Sequence, residues 1–275
     1  MIAESPLSWL GAKRRFLTRI FSHFPRHITF VDVFGGGGSV ILGKEPSKVE
    51  VYNDMDGRLA NFFRVLCDEY KTAELYKKLE NTLYSRDVFD EALLKMETEL
   101  TDVDKAYHFF IINKQSFAGM CKTWGYGVVS SCAPSFSSSI NMLKDVHKRI
   151  RSGVQVENLS FDDLIPRYDT PDTLFYLDPP YVSTTRSGLG DYECEMTDDM
   201  HVNLVNILLS VKGMCILSGY DTNIYKPLED AGWLRDSFDV SVMSSNGVDG
   251  VRPVRTECLW ISPRAVENKM QRTLF

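Results

Sequence analysis

The sequence lacks the features of membrane, secreted and metal-binding proteins. None of its apolar runs approaches the roughly 20 residues that a membrane-spanning helix needs. Its six cysteines are scattered without a Cys-x-x-Cys pair, and its five histidines have no metal-ligand spacing. The first residues carry no signal-peptide pattern. We therefore expect a cytoplasmic protein with reduced thiols, no membrane contact and no metal.

The chain also lacks the excess of basic residues that marks many nucleic-acid-binding proteins. It has 31 lysines and arginines against 37 aspartates and glutamates, which gives a formal net charge of −6. Any contact with DNA must then come from local basic patches, each of which can be a solvated helix face or a track for phosphates. Two such patches occur, one formed by residues 13–15 with Arg19 and Arg26, the other by Lys144, Lys148, Arg149 and Arg151.

Strand-like and helix-like segments alternate in the first and last parts of the chain, and a different segment lies between them. Residues 67–150 are largely helical in period and contain a long irregular stretch at 115–139. This order predicts an α/β protein with a doubly wound sheet formed by residues 1–66 and 151–275, and a mainly helical insertion at 67–150. Strands are expected at 28–33, 49–52, 154–156, 173–177, 214–218, 237–243 and 257–261, the last two flanking the turn signal Asn246-Gly247.

A tetrapeptide at 178–181, Asp-Pro-Pro-Tyr, follows the apolar run at 173–177. It lies where a buried strand ends, which is the usual place for ligands in α/β sheets. The two prolines stiffen the turn and direct the Asp178 carboxylate and the Pro179 carbonyl into one pocket. Two acceptors beside the ring of Tyr181 suit a planar base with an exocyclic amino group, such as adenine or cytosine. A proline-rich turn without a ligand is the alternative.

A glycine loop follows the first predicted strand. Residues 35–38 are all glycine, and glycines allow a sharp turn and a close approach to a ligand. Asp54 lies 19 residues after Gly35, at the end of the next strand. An acidic residue at about this offset binds the ribose hydroxyls of nucleoside cofactors. The loop has neither the P-loop pattern nor a distinctive Gly-x-Gly-x-x-Gly spacing, which argues against a dinucleotide.

The order of these motifs resembles Dam-type (D12 class, alpha group) DNA adenine-N6 methyltransferases across most of residues 6–262. Residues 8–13 resemble the N-terminal Lys-Trp-x-Gly-x-Lys segment of that family, residues 31–40 its AdoMet loop, and residues 53–56 its ribose clamp. Residues 110–119 resemble the Asn-(Arg/Lys)…Phe-(Asn)-Gly stretch of its recognition domain, and 178–181 its catalytic tetrapeptide. The resemblance implies an S-adenosyl-L-methionine (AdoMet)-dependent, site-specific enzyme that flips an adenine out of duplex DNA and methylates N6.

The resemblance also implies roles for individual residues. Asp178 and the Pro179 carbonyl accept hydrogen bonds from the target amino group, with Pro180 in the same turn, and Tyr181 stacks on the flipped base. Asp54 binds the ribose of the cofactor. The implied cofactor-binding residues are Trp9, Gly11, Lys13, Asp32, Phe34, Gly35, Gly36, Gly37, Gly38, Ser39, Asp54, Met55, Phe161, Asp162 and Asp178. The implied DNA-contacting residues are Asn113, Lys114, Phe117, Lys122, Trp124 and Tyr126.

Several positions depart from the family pattern. Val33 replaces a proline before the glycine loop. The pair Ser160-Phe161 stands where many members have Asp-Phe, so the hydrogen bond to the cofactor adenine falls to Asp162, to Ser160 or to backbone. Ala118 and Lys122 replace the Asn and Arg of members that read GATC, and lysine reads guanine less well than arginine. The target sequence therefore stays open.

Other interpretations also stay open. The tetrapeptide chemistry suits cytosine N4 or an amino group of RNA, and a catalytically silent DNA-binding homologue is a further hypothesis. Residues 183–195 can form a flap over the base or an ordinary surface loop. Arg252 and Arg255 flank the last turn and are candidates for phosphate contact. A cognate restriction endonuclease is a candidate partner, a bacterial or phage-infected cell is the expected setting, and no oligomeric state is predicted.

Overall fold

The computed structural model describes residues 2–9, 11, 13–96, 98–151, 153–182, 196–241 and 254–273. The chain divides into two compact units, the first formed by residues 1–17 and 35–158, the second by residues 18–34 and 159–275. The predicted flap at 183–195, the turn at Asn246-Gly247 and Arg252 lie outside the described residues, as does the side chain of Arg255. The assignment of 67–150 as a recognition insertion stays a prediction.

The strands confirm the α/β prediction. They are β1 (Thr29–Asp32), β2 (Val49–Asn53), β3 (Val154–Glu157), β4 (Thr173–Leu177), β5 (Met214–Tyr220), β6 (Leu234–Ser241) and β7 (Val254–Ile261). They belong to a mixed seven-stranded sheet in the order β3-β2-β1-β4-β5-β7-β6. The pairs β2–β3, β1–β4 and β4–β5 are parallel, whereas β5–β7 and β6–β7 are antiparallel. The strand expected at 173–177 matches β4 at both ends.

Helices occupy much of the remaining described chain. They are α1 (Leu17–Ser22), α2 (Ser39–Gly43), α3 (Gly57–Cys67), α4 (Glu69–Glu80), α5 (Arg86–Lys95), α6 (Asp102–Gln115), α7 (Ala133–Ile150), α8 (Phe161–Tyr168), α9 (Asp198–Ser210), α10 (Lys226–Asp230) and α11 (Pro263–Thr273). Short 3-10 helices lie at Lys13–Arg15, Phe117–Gly119 and Asn223–Tyr225. Within the described ranges, no helix has both the length and the apolar character that a membrane crossing requires.

The first unit is built around helix α6, which packs against α3, α4 and α5. Phe62 of α3 and Phe110 of α6 stack with their ring centroids 6.0 Å apart. Side-chain caps fix where several of these helices begin, because an acceptor at the cap satisfies a free backbone N–H. Asp56, Asp68 and Thr101 provide such caps for α3, α4 and α6.

The irregular stretch expected at 115–139 is shorter than predicted. Helix α7 already begins at residue 133, with Pro134 in its first turn, where the missing N–H of proline has no cost. Phe136, Ile140 and Leu143 recur on one face of the helix and are buried. Their burial outweighs the low helix propensity of the serines between them. The irregular segment is therefore confined to 116–132.

A buried ion cluster connects helices α2 and α7 with strand β2. The Arg149 guanidinium donates to both carboxylate oxygens of Glu50, at 2.6 and 2.8 Å, and to the carbonyl of Ile41 at 2.7 Å. The Lys44 ammonium lies 2.6 Å from Glu50 Oε1. Burial alone would raise the pKa of Glu50, but the hydrogen bonds from Arg149 and Lys44 outweigh it and lower that pKa. The expectation that Arg149 belongs to an exposed basic patch is therefore wrong.

The second unit contains the parallel strands β1, β4 and β5 and the antiparallel pair β6–β7. Its core includes the fully buried rings of Phe30, Phe175 and Trp260. Arg19, from the other basic patch, donates through Nε to Asp236 Oδ2 at 2.8 Å. The Arg19 guanidinium is the largest cause that lowers the pKa of Asp236. Arg19 is thus engaged in a protein ion pair.

Candidate active site

The glycine loop of the first unit is held against the end of strand β2. The Gly35 amide donates to the Asn53 carbonyl at 2.7 Å, and the Tyr52 hydroxyl donates to the Gly36 carbonyl at 2.7 Å. Gly36 and Gly38 have φ angles of 48° and 75°, which glycine adopts without strain. A Cβ at Gly36 would lie 2.7 Å from Trp9 Nε1, so a side chain there would displace the indole. The loop therefore requires glycine for its backbone shape and for its packing.

Asp54 lies directly after β2, and its carboxylate is bonded to the glycine loop. Oδ2 accepts a hydrogen bond from the Gly36 amide and Oδ1 one from the Asp56 amide, both at 2.8 Å. Burial raises the pKa of Asp54 to about 6, although the amides of Asp56 and Gly36 act in the opposite direction. The Asn158 side chain donates to the carbonyl of Asp54 at 2.7 Å. Asp54 after strand β2 and Asn158 after strand β3 thus meet at the carboxyl ends of these two parallel strands.

The N-terminal segment of the first unit brings Trp9 to the glycine loop. The Trp9 side chain contacts Gly36 and Gly37, and the Ser5 hydroxyl donates to the Gly37 carbonyl. The other predicted cofactor residues of this unit differ in exposure: Lys13 is buried, Ser39 begins helix α2, and Gly11 and Met55 are exposed.

These residues fit a nucleoside cofactor. Asp54 supplies a carboxylate that can accept hydrogen bonds from hydroxyl groups, and it is half-buried rather than fully solvated. The adjacent loop has no Cβ atoms at four successive positions, so its backbone can approach a ligand closely. The Trp9 indole next to the loop provides an aromatic surface.

The tetrapeptide of the second unit follows strand β4, as predicted. The hydroxyl of Tyr181 donates to Glu257 Oε2 at 2.7 Å, and Glu257 is a buried residue of strand β7. The rings of Tyr181 and Tyr220 meet edge to face, with centroids 4.3 Å apart. Burial, together with the charges of Asp178 and Glu257, raises the pKa of Tyr181 well above its usual value. Tyr181 is therefore a neutral ring held at its hydroxyl end and at one side.

The same unit contains four other predicted cofactor residues. The rings of Phe34 and Phe161 lie with their centroids 6.0 Å apart. Phe161 is buried at the start of α8, Asp32 is buried at the end of β1, and Asp162 is exposed. The Ser160 hydroxyl donates to Asp163 Oδ2 at 3.1 Å. A bound adenine would have to compete with Asp163 for this hydroxyl.

The predicted DNA-contacting residues lie in different environments. Phe117, Lys122 and Tyr126 are exposed, whereas the Asn113 side chain is fully buried. Burial, with a smaller effect of the nearby Arg14, lowers the pKa of Lys114 to about 8. Trp124 and Tyr126 stack at 6.0 Å, and the Arg86 guanidinium lies 4.7 Å from the Trp124 ring centroid. The structure thus places three of the six at the surface.

Sequence reasoning missed the residues that support the motifs. Tyr52 and Asn158 hold the glycine loop and Asp54, while Tyr220 and Glu257 hold Tyr181. Asn158 and Tyr220 lie at or just after the ends of parallel strands, which is a signal that could have identified them. Glu257 lies on an antiparallel strand far along the chain and has no such signal.

The mixed sheet with its flanking helices, and the motifs at the strand ends, define an α/β methyltransferase fold. Residues 9–238 match the model of the D12 class N6 adenine-specific DNA methyltransferase family. Because the match covers most of the sequence, the chain belongs to this family. A family of methyltransferases implies a methyl donor of the AdoMet type and a DNA substrate.

Three curated relatives of the chain are named as methylases. The retron Ec67 DNA adenine methylase of Escherichia coli is 23% identical over 233 residues, which cover 81% of this chain and 79% of that protein. The modification methylase StsI of Streptococcus sanguinis is 23% identical over 201 residues, 67% of this chain and 29% of that protein. The modification methylase LlaI of Lactococcus lactis subsp. lactis is 24% identical over 197 residues. The chain spans only 29% and 30% of the two modification methylases.

Proposed function

We propose that the chain is a site-specific DNA adenine-N6 methyltransferase that uses AdoMet. The observation that carries the proposal is the tetrapeptide at the end of strand β4, whose Tyr181 ring is fixed by Glu257 and Tyr220. A fixed, neutral aromatic ring beside two acceptors can receive a planar base with an amino group. The family to which the chain belongs makes adenine the favoured base.

The proposed chemistry uses acceptors rather than a covalent nucleophile. Asp178 and the Pro179 carbonyl accept hydrogen bonds from the two N–H groups of the adenine amino group. These bonds localise on the nitrogen the lone pair that is otherwise delocalised into the ring. Tyr181 stacks on the flipped base and replaces part of the stacking lost from the duplex. Tyrosine is already neutral at physiological pH, and the raised pKa of Tyr181 extends this neutral state to higher pH, so that no charge develops beside Asp178.

The proposed cofactor site lies in the first unit. Bound AdoMet would supply a methyl group on a positively charged sulfur, which makes that methyl an electrophile. Asp54 accepts hydrogen bonds from the ribose hydroxyls, and residues 35–38 approach the ligand through their backbone. Trp9 covers the loop from the side of Gly36 and Gly37. The cofactor roles that the family resemblance implies for Asp32, Phe34, Phe161 and Asp162 of the second unit stay predictions, and we propose Asp178 as an acceptor for the target amine rather than as a cofactor ligand.

The proposed DNA-reading surface is the irregular segment at 116–132. Its exposed Phe117, Lys122 and Tyr126, with the Trp124 ring behind Tyr126, combine aromatic faces and a cation. Such a combination suits a nucleic acid. Because Ala118 and Lys122 replace the Asn and Arg of GATC readers, we do not assign that target.

The decisive experiment is transfer of labelled methyl from AdoMet to unmethylated duplex DNA of mixed sequence, followed by nucleoside digestion. The proposal expects label in N6-methyladenine. Asp178→Ala should abolish transfer and keep AdoMet affinity within about twofold, because Asp178 acts on the amine. Label in N4-methylcytosine would contradict adenine as the target, and full activity of the Asp178 variant would contradict the mechanism.

A further inference from the structure

Asn113 clamps the main chain of the N-terminal segment from helix α6. Its Oδ1 accepts a hydrogen bond from the Ser8 amide at 2.9 Å, and its Nδ2 donates to the Ser8 carbonyl at 2.7 Å. The Asn113 side chain is 0% exposed, so its end of each bond is shielded from water. A buried amide that satisfies both polar groups of one residue fixes the position of that residue.

Two neighbours of Asn113 hold the same residue. The Lys114 ammonium donates to the Ser8 hydroxyl at 2.8 Å. Gly119 has φ of 74°, and a Cβ at that position would lie 2.6 Å from the Ser8 carbonyl oxygen. The backbone at Gly119 therefore packs directly against Ser8. Asn113, Lys114 and Gly119 thus form a clamp around Ser8, which we call the Ser8 clamp.

Ser8 is followed by Trp9, the residue that packs on the glycine loop. The Trp9 side chain contacts Gly36 and Gly37, and Ser5 bonds the Gly37 carbonyl. Fixing Ser8 therefore limits where the Trp9 indole can lie. The Asn113 amide is itself buried; its two short hydrogen bonds go to the main chain of Ser8, and Nδ2 also lies 4.0 Å from Cys121 Sγ. Its placement suits support of the glycine loop better than contact with DNA.

The Ser8 clamp is also continuous with the turn at 116–126, in which Phe117, Lys122 and Tyr126 are exposed. The Phe117 amide donates to the Thr123 carbonyl at 2.8 Å, and the Gly125 amide donates to the Gln115 carbonyl at 2.7 Å. These bonds close a turn directly onto the end of α6. The turn that carries Phe117 and Lys122 is therefore anchored in the same stretch of chain that grips Ser8.

We propose that Asn113 is a positioning residue of the cofactor site, and that the Ser8 clamp couples the exposed turn at 116–126 to the glycine loop through Ser8 and Trp9. The inference rests on the proposed function, because it treats this loop as the AdoMet loop. It assigns Asn113 a role different from the DNA contact implied by the family resemblance. Loss of the clamp weakens cofactor binding even when no DNA is present.

The test compares Asn113→Ala with Gln115→Ala, a matched control on the same helix. Gln115 is also 0% exposed, and its side chain likewise makes one accepted and one donated hydrogen bond to main chain. It accepts from the Ser85 amide at 3.0 Å and donates to the Leu83 carbonyl at 2.9 Å. It holds a different segment. The two substitutions should therefore cost similar stability, and only the first should affect the glycine loop.

The measurement is the affinity of the AdoMet analogue sinefungin for the full chain, by calorimetry without DNA. Asn113→Ala should weaken binding about tenfold, since a buried bidentate contact is lost, whereas Gln115→Ala should change it less than about twofold. Lys114→Met, a milder change, should weaken binding about threefold. Hydrogen exchange without ligand should quicken at residues 8 and 35–38 in the Asn113 variant, relative to the control.

The binding measurements distinguish a positioning role of Asn113 from direct DNA contact and from general destabilisation. Unchanged sinefungin affinity in Asn113→Ala and Lys114→Met, with weaker DNA binding, would make these residues DNA contacts and overturn the inference. Equal weakening by Gln115→Ala would also overturn it, because the effect would then be general destabilisation. If the unaltered chain failed to bind sinefungin, the proposed function itself would be refuted, and the inference with it.

Discussion

The pH dependence of nucleoside binding tests the role proposed for Asp54. Burial raises the pKa of this carboxyl to about 6, and the amides of Asp56 and Gly36 offset only part of that rise. A carboxylate accepts hydrogen bonds from ribose hydroxyls better than the protonated acid does, because ionised acceptors make stronger bonds. Binding should therefore require the ionised form and weaken as the pH falls through about 6.

The size of the effect follows from the ionised fraction. With a pKa of about 6 the carboxyl is almost fully ionised at pH 8 and about one-tenth ionised at pH 5. The dissociation constant should then rise about tenfold between these values. An aspartate with the ordinary pKa of about 3.9 would stay more than about nine-tenths ionised at pH 5, and the dissociation constant would hardly change.

The assay is calorimetric titration with 5′-deoxy-5′-methylthioadenosine, which keeps the ribose hydroxyls but has no amino-acid group to titrate. Because binding favours the ionised carboxylate, it should release protons near pH 6. The control is Asp54→Asn, which should bind more weakly at every pH and show no slope, since an amide does not titrate. A flat profile for the unaltered chain, or the same slope in the Asn variant, would refute the reasoning.

Two further substitutions test the contacts that support the motifs. Arg149→Met should lower the free energy of unfolding by about 3–5 kcal/mol in denaturant, because it removes a buried partner of Glu50. The control Arg151→Met, at an exposed position, should cost under about 1 kcal/mol. Equal losses in the two variants would contradict the buried pairing. Glu257→Ala should slow methyl transfer without changing AdoMet affinity, because the Tyr181 hydroxyl loses its acceptor. Glu257→Gln keeps an acceptor oxygen and should retain most of the activity. Equal loss of activity in both variants would show that the charge of Glu257 matters, rather than the hydrogen bond.

Much of the fold could be predicted because local patterns decide it. The run at 173–177 is apolar throughout and bounded by turn residues, and it forms the buried strand β4. Where local signals conflict, the prediction failed. The serines around Phe136 favour a loop, yet α7 includes them, because burial of its apolar face in the first unit decides the outcome. That contact is not visible in a local window of sequence.

The candidate site could be predicted only in part, for a related reason. Motif residues such as Asp54 and Asp178 are recognisable from their neighbours and from their place after a strand. Arg149 looked like part of a charged helix face because its partner, Glu50, lies 99 residues away. Asn113 likewise grips Ser8, 105 residues away. A pairing over such a separation depends on tertiary structure.

The helices of the predicted recognition segment, residues 67–150, are connected to the glycine loop by hydrogen bonds of two buried side chains. Helix α6 sends Asn113 to Ser8, beside Trp9, and helix α7 sends Arg149 to Glu50 of strand β2 and to the carbonyl of Ile41 in α2, the helix that follows the loop. Residues 67–150 accordingly fall in the same compact unit as the loop. Removing them would take away the arginine partner of a buried carboxylate, which is costly. Exchange of this whole segment to change DNA specificity would therefore disturb the proposed cofactor site, whereas substitutions confined to the exposed Phe117, Lys122 and Tyr126 would leave both anchors in place.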